Sequence, residues 1–231
     1  MSLCGKVIEI DAKNLSMRDV NLKIKEAIEK DSKVKIKNAY HIHGLVAGIA
    51  KGEVDGDVGD YVTMLIGTRE QKEKGESGPR IIINGNAGNY LADGAWAGEV
   101  IVRGSVGYGA GIYAYGGTIV IYGDAGDALA HLLKGATIIV KGNAGSNIGL
   151  YMVNGTIVIV GDAGEAVGEW MIRGEIFIGG NYKSLGHNAQ EKSLTDEDKE
   201  KLKTLFAKYG IEADVSKFRK IVPIKVRPFY G

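Results

Sequence analysis

From residue 81 the chain repeats itself every nineteen residues without insertion or deletion. Six lines starting at residues 81, 100, 119, 138, 157 and 176 stack in register. Their openings read IIINGNAGNY, VIVRGSVGYG, IVIYGDAGDA, IIVKGNAGSN, IVIVGDAGEA and IFIGGNYKSL. The fifth column is Gly85, Gly104, Gly123, Gly142, Gly161 and Gly180. The eighth is Gly88, Gly107, Gly126, Gly145 and Gly164, closing on Lys183. The eighteenth is Gly98, Gly117, Gly155 and Gly174, with Ala136 breaking the column. A fixed period of this length marks a repeat architecture, in which no unit buries its apolar face alone and neighbours stack to form one core.

Each line opens on three β-branched or similarly apolar residues and then turns at glycines, so the period holds strands and corners and no helix. The fold class expected is mainly β, a single-stranded parallel β-helix of 19-residue coils, regular over 81–188 and extending over 43–188. Its coils hydrogen-bond at the strand spacing of about 4.8 Å. The column glycines are expected to sit at corners where the backbone takes a positive φ. The small polar residues that follow them (Asn86, Ser105, Asp124, Asn143, Asp162) are expected to bond local backbone, as turn residues do.

Side-chain direction follows from strand alternation. First and third positions, from Ile81/Ile83 to Ile176/Ile178, are aliphatic throughout and should point inward. The second position shares the outward parity of the mixed fourth, yet reads Ile82, Ile101, Val120, Ile139, Val158 and Phe177. An outward apolar column needs a cover, either a terminal segment of the chain or a partner, and these six residues form a candidate docking face.

The flanks offer such a cover. Residues 1–42 read as a short strand–helix–strand unit: KVIEIDA, a helix opened by the Ser16–Asp19 capping box with Val20, Ile24, Ala27 and Ile28 on one side, then VKIKN. Residues 43–61 and 62–80 can be drawn as two degenerate starting coils, with a charged loop at Arg69–Ser77. Residues 189–231 hold a helix from Thr195–Asp198 to about Tyr209, stopped at Gly210, with Leu202, Leu205, Phe206 and Tyr209 on its apolar side, then an extended tail.

Chemistry is sparse. With 29 basic and 28 acidic residues the chain shows no electrostatic footprint for nucleic acid or an anionic membrane. The single cysteine, Cys4, excludes an internal disulfide. No apolar run reaches the length of a membrane span and no signal pattern opens the chain, so a cytoplasmic protein is expected. His41-x-His43 lacks a third ligand, and Gly107-Tyr-Gly-Ala-Gly111 does not lie between a strand and a helix, so neither supports a metal or dinucleotide site. No catalytic, cofactor-binding or metal-binding residue is assigned. Tyr113, Tyr151 and Trp170 share one column; with Tyr108, Tyr115 and Trp96 they are the residues that a ligand platform along the coils would use.

The rungs GNAGSNIGLYMVNGT and GDAGEAVGEWMIRGE, with the lead-in IKNAYHIHGLVAGIAKG, resemble the C-terminal GXGXG β-helix domain of the glutamate synthase large subunit. The resemblance covers about residues 34–188 and more loosely extends to Pro223; KYGIEADVSKFRKIVPIKVRP is closest to the stand-alone form of that domain. It implies a non-catalytic scaffold subunit of an enzyme that converts glutamine and 2-oxoglutarate to glutamate. The partners would be an amidotransferase subunit and an FMN-containing, iron–sulfur-bearing synthase subunit, with no cofactor in this chain. The G-x-A-G…M-x-x-G rung is also similar to the β-helical subunit of tungsten or molybdenum formylmethanofuran dehydrogenase, the alternative within this superfamily. A homo-oligomer, or an independent ligand-binding β-helix, stands as the reading of another class.

Overall fold

The computed structural model describes residues 7–29, 33–45 and 51–226. Its elements in chain order are β1 (Val7–Asp11), α1 (Met17–Glu29), β2 (Lys33–Lys37), β3 (Lys51–Asp55), α2 (Arg69–Lys74) and β4 (Arg80–Asn84). There follow β5 (Glu99–Val102), β6 (Thr118–Ile121), β7 (Thr137–Val140), β8 (Thr156–Ile159) and β9 (Glu175–Ile178). The chain ends with β10 (Ala189–Lys192), α3 (Asp196–Tyr209) and β11 (Arg219–Pro223). Strands β1 to β9 pair in order and in parallel, and β11 and then β10 close the sheet antiparallel. The result is a parallel β-solenoid of about seven turns with few helices.

From β4 to β9 each residue pairs with the one nineteen positions later, Ile81 with Val100 and so on to Ile157 with Ile176. The interior is built from columns. Ile81, Val100, Ile119, Ile138, Ile157 and Ile176 are buried, as are Ile83, Val102, Ile121, Val140, Ile159 and Ile178. Three further inward columns complete the cross-section. They run through Ala87, Val106, Ala125, Ala144 and Ala163; through Leu91, Ala110, Leu129, Ile148 and Val167; and through Ala95, Ala114, Leu133, Met152 and Met171. The alanine column occupies a corner where successive coils meet through single bridges, such as Ala125 to Ala144. Each fully buried aliphatic side chain in these stacks contributes roughly 1.5–3 kcal/mol relative to exposure.

The glycine ladder has a different cause from the one expected. Neither the fifth- nor the eighth-column glycines have positive φ. They are glycine because the backbone of the previous coil passes where a Cβ would stand. At Gly142 that atom would lie 2.6 Å from the Gly123 carbonyl oxygen and 2.2 Å from Asp124 Oδ1. The eighteenth column is where the chain does turn left-handed, with φ of 120° at Gly155 and 87° at Gly174. Non-glycine residues also take left-handed conformations, on the turns between columns: Tyr90 and Ala92, Tyr113, Ala128, Ala130 and Leu132, Tyr151 and Trp170. These turns hydrogen-bond to both neighbouring coils. Tyr90 N–H donates to the following coil at Tyr108, whereas Ala92 N–H donates to the preceding one at Val62.

The polar residue after each fifth-column glycine reaches the next coil rather than its own turn. Asn86 Oδ1 accepts from Ser105 N–H at 2.8 Å, Ser105 Oγ from Asp124 N–H at 3.0 Å, and Asp124 Oδ1 from Asn143 N–H at 2.7 Å. Asn143 then accepts from Asp162, and Asp162 from Asn181. The ladder satisfies corner N–H groups that would otherwise lack partners.

The sheet also differs from expectation at its start. Lys51 pairs with Arg80, a spacing of 29 residues, so one enlarged coil replaces the two nineteen-residue lines drawn over 43–61 and 62–80. The ten extra residues carry α2, which occupies most of the segment read as a charged loop. Strands β1 and β2 continue the same sheet, with α1 crossing between them and Val20, Ile24 and Ala27 buried. The side chain of Ile28 and residues 1–6, including Cys4, lie outside the described residues, as does the tail beyond Val226.

Candidate functional surface

The second-position column is covered by the chain's own C-terminus. Ile101, Val120, Ile139, Val158 and Phe177 are buried together with Leu202, Phe206 and Tyr209 of α3 and with Ile211 and Phe218 after it. Leu202, Phe206 and Tyr209 fall at i, i+4 and i+7, one helical face, while Leu205 packs at its edge. The six-residue docking face is therefore an internal interface, except that Ile82 remains only partly buried beyond the end of α3. The helix begins at the Thr195–Asp198 capping box and ends at Gly210, whose φ is 62°.

Two ion-pair groups pin the ends of α3. Near its start, Glu175 takes hydrogen bonds from Lys201 and Lys220, and Lys220 also reaches Asp198 at 2.5 Å. Near its end, Glu99 accepts from Lys208 at 2.6 Å, from Tyr209 Oη at 2.8 Å and from Arg80 at 3.1 Å. Glu99 and Glu175 occupy the same column four coils apart, so one register position anchors both ends of the cover.

The surface left free is a ridge along the turns. Leu65, Gly94, Tyr113, Leu132, Tyr151 and Trp170 all have left-handed φ, and each N–H donates to the coil after it. Leu65 is 55% exposed, Tyr113 44% and Tyr151 36%, while Leu65 lies over the bare Gly94. Beside them Tyr61 stacks on Tyr90 at 4.7 Å, and Tyr108 meets Tyr90 edge-on at 5.7 Å. Trp170 stacks on His187 at 5.2 Å, and His187 Nδ1 lies 2.8 Å from Glu169. Burial pushes the Asp93 carboxyl up and the His131 imidazole down, so the ionised forms of both are disfavoured on this ridge.

The aromatics singled out from sequence thus divide. Tyr113, Tyr151 and Trp170 are brought into one line, whereas Trp96 and Tyr115 form a separate parallel stack at 4.0 Å under α2. His41 packs edge-on against Tyr40, and His43 Nδ1 accepts from the Asp60 N–H at 3.0 Å. Among the described residues no cluster of three potential ligands for a metal ion occurs, and no helix is long and apolar enough to cross a membrane. Sequence reasoning missed Leu65 and Tyr61, because they belong to the enlarged coil whose ten-residue insertion hides their columns.

No family model matches the chain, and no curated protein matches it.

Proposed function

We propose that the chain is a non-catalytic scaffold subunit of a cytoplasmic, multi-subunit glutamate synthase-like enzyme. Its rungs resemble the β-helix domain of that enzyme, and the observation that carries the reading is the exposed ridge of Leu65, Tyr113, Leu132, Tyr151 and Trp170. Fixed aromatic side chains on a rigid frame cost little entropy on association, and aromatic residues are enriched at protein interfaces. In this reading the ridge, not the second strand column, meets the partner subunits. One partner would hydrolyse glutamine, and the other would use FMN and iron–sulfur clusters to aminate 2-oxoglutarate reductively.

The test is affinity purification of the tagged chain from its native cell. Recovery of an amidotransferase and a flavoprotein supports the reading, and their loss with Tyr113→Ser/Tyr151→Ser at unchanged Tm places the ridge at the interface. Recovery of a tungsten or molybdenum subunit without a flavoprotein overturns it in favour of the formylmethanofuran dehydrogenase alternative.

A further inference from the structure

The insertion that enlarges the first complete coil has no role in the core. None of the residues of α2 is buried, yet the helix is fully capped, by a Thr68–Gln71 capping box at one end and left-handed Gly75 at the other. In repeat proteins an insertion into one unit commonly lies on a binding face. Two of the helix cations are neutralised within it: Arg69 pairs with Glu73 at 2.7 Å and Lys74 with Glu70 at 2.6 Å.

Lys72 behaves differently. Its side chain runs from α2 across successive coils, with Cγ and Cδ 3.3 Å from where a Cβ would stand at Gly116, and Nζ 3.7 Å from the same point at Gly135. Its ammonium lies 5.9 Å from the Trp96 ring and 5.8 Å from the Tyr115 ring. The adjacent Lys134 points to the same place. Its Nζ lies 4.3 Å over the Tyr115 ring and 2.8 Å from Tyr115 Oη. Among the described residues neither lysine has a carboxylate partner. Two ammonium groups therefore converge on one aromatic ring, beside two glycines that leave the floor bare. The ring faces attract each cation but do not cancel the repulsion between them.

We propose that Lys72 and Lys134 bind a phosphate-class dianion above Gly116 and Gly135, with α2 serving to bring the first lysine into place. A dianion bonded to both ammonium groups would remove their repulsion and make two charge-assisted hydrogen bonds. The chemistry is shared by free phosphate and by the phosphoryl group of a larger ester, and the two are separable by experiment.

Calorimetric titration of the full chain at constant ionic strength, with inorganic phosphate in one arm and phenyl phosphate in the other, tests the site. Saturable one-to-one binding is expected, weakened about tenfold by Lys72→Met and by Lys134→Met, and unchanged by Lys74→Met on the same helix. Equal affinity in the two arms identifies the phosphoryl group alone as the determinant; tighter binding of the aryl ester identifies a larger ligand that also uses the aromatic stack. Absence of saturation in both arms, or equal weakening by Lys74→Met, overturns the proposal. Lys72 is exposed on a helix outside the core, so its variant folds and decides the question even where Lys134→Met does not.

Discussion

Lys220 Nζ stands 2.9 Å from Glu175, and that contact ties β11 to β9 at the place where α3 begins. Lys220 continues to Asp198 in the first turn of the helix, so a single cation joins the solenoid wall, the returning strand and the cover. Its side chain is 19% exposed and that of Asp198 is 7% exposed, so the pair is partly desolvated. Lys220→Met is expected to cost about 1.5–3 kcal/mol, the range for hydrogen bonds to charged groups. Chemical denaturation of the variant, followed by circular dichroism, checks the figure; a loss well below 1 kcal/mol would show that the contact is only a surface pair.

The same cluster makes stability depend on pH at the acid end. Burial works against the Glu175 charge, but hydrogen bonds and attraction from Lys201 and Lys220 outweigh it and hold the carboxyl below its ordinary value. Asp198 is likewise opposed by burial and held low by Lys220 and Thr195. A carboxyl depressed on folding contributes its full stability above its unfolded pKa and loses it as pH falls through the folded one. The Tm should therefore stay level from neutral pH down to the ordinary carboxylate range, about pH 4–4.5, and fall below it. In Lys220→Met the fall should be shallower. An unchanged acid slope in that variant would remove the cluster from the explanation.

Cover and column are energetically one unit. Phe206 is 4% exposed against Val158, Phe177 and Phe218 in the second core cluster. Phe206→Ala should destabilise by about 3–5 kcal/mol, as large-to-small changes at well-packed sites do. The exposed column should then bind a hydrophobic dye below the main thermal transition. A melt that retains both Tm and low dye binding would mean that α3 contributes little to covering the wall.

The repeat, the inward columns and the helix caps were legible because each is a local pattern: aliphatics at fixed parity, Thr195 three residues before Asp198, Gly210 after Tyr209. The second column showed that a cover must exist, but not which segment supplies it, because Leu202, Phe206 and Tyr209 meet Val158 and Phe177 only through long-range packing. The reason for the ladder glycines was hidden for the same cause. A glycine required by a neighbouring coil's carbonyl and one required by its own φ look identical in sequence, and only stacking distinguishes Gly142 from Gly155. The enlarged coil is disguised in sequence because its ten extra residues fall close to half a period, which lets two false lines of nineteen be drawn through it.

The asparagine–aspartate ladder offers a conservative test of coil-to-coil bonding. Asn143→Ala leaves its own N–H donating to Asp124 but removes the acceptor of the Asp162 N–H. The expected cost is about 0.5–1.5 kcal/mol, one net hydrogen bond at a solvent-facing corner, and faster amide exchange at Asp162 should accompany it. Exchange unchanged at Asp162 would show that water replaces the side chain without loss.

The two kinds of glycine should separate sharply on substitution. At Gly142 an added Cβ would stand 2.6 Å from the Gly123 carbonyl oxygen, which belongs to the adjacent coil and cannot move without opening the stack. Gly75 has a φ of 66° but open space around it, so alanine there meets only the local left-handed penalty at the end of an exposed helix. Gly142→Ala is expected to cost about 1–3 kcal/mol or more through overpacking, and Gly75→Ala about 1 kcal/mol. Because each coil bears on the next, the loss at Gly142 should also raise amide exchange in β6 and β7 on either side, whereas at Gly75 it should stay within α2. A Gly142→Ala protein as stable as the parent, with unaltered exchange in both strands, would mean that the coils can part at this corner and that close approach is not what selects the glycine.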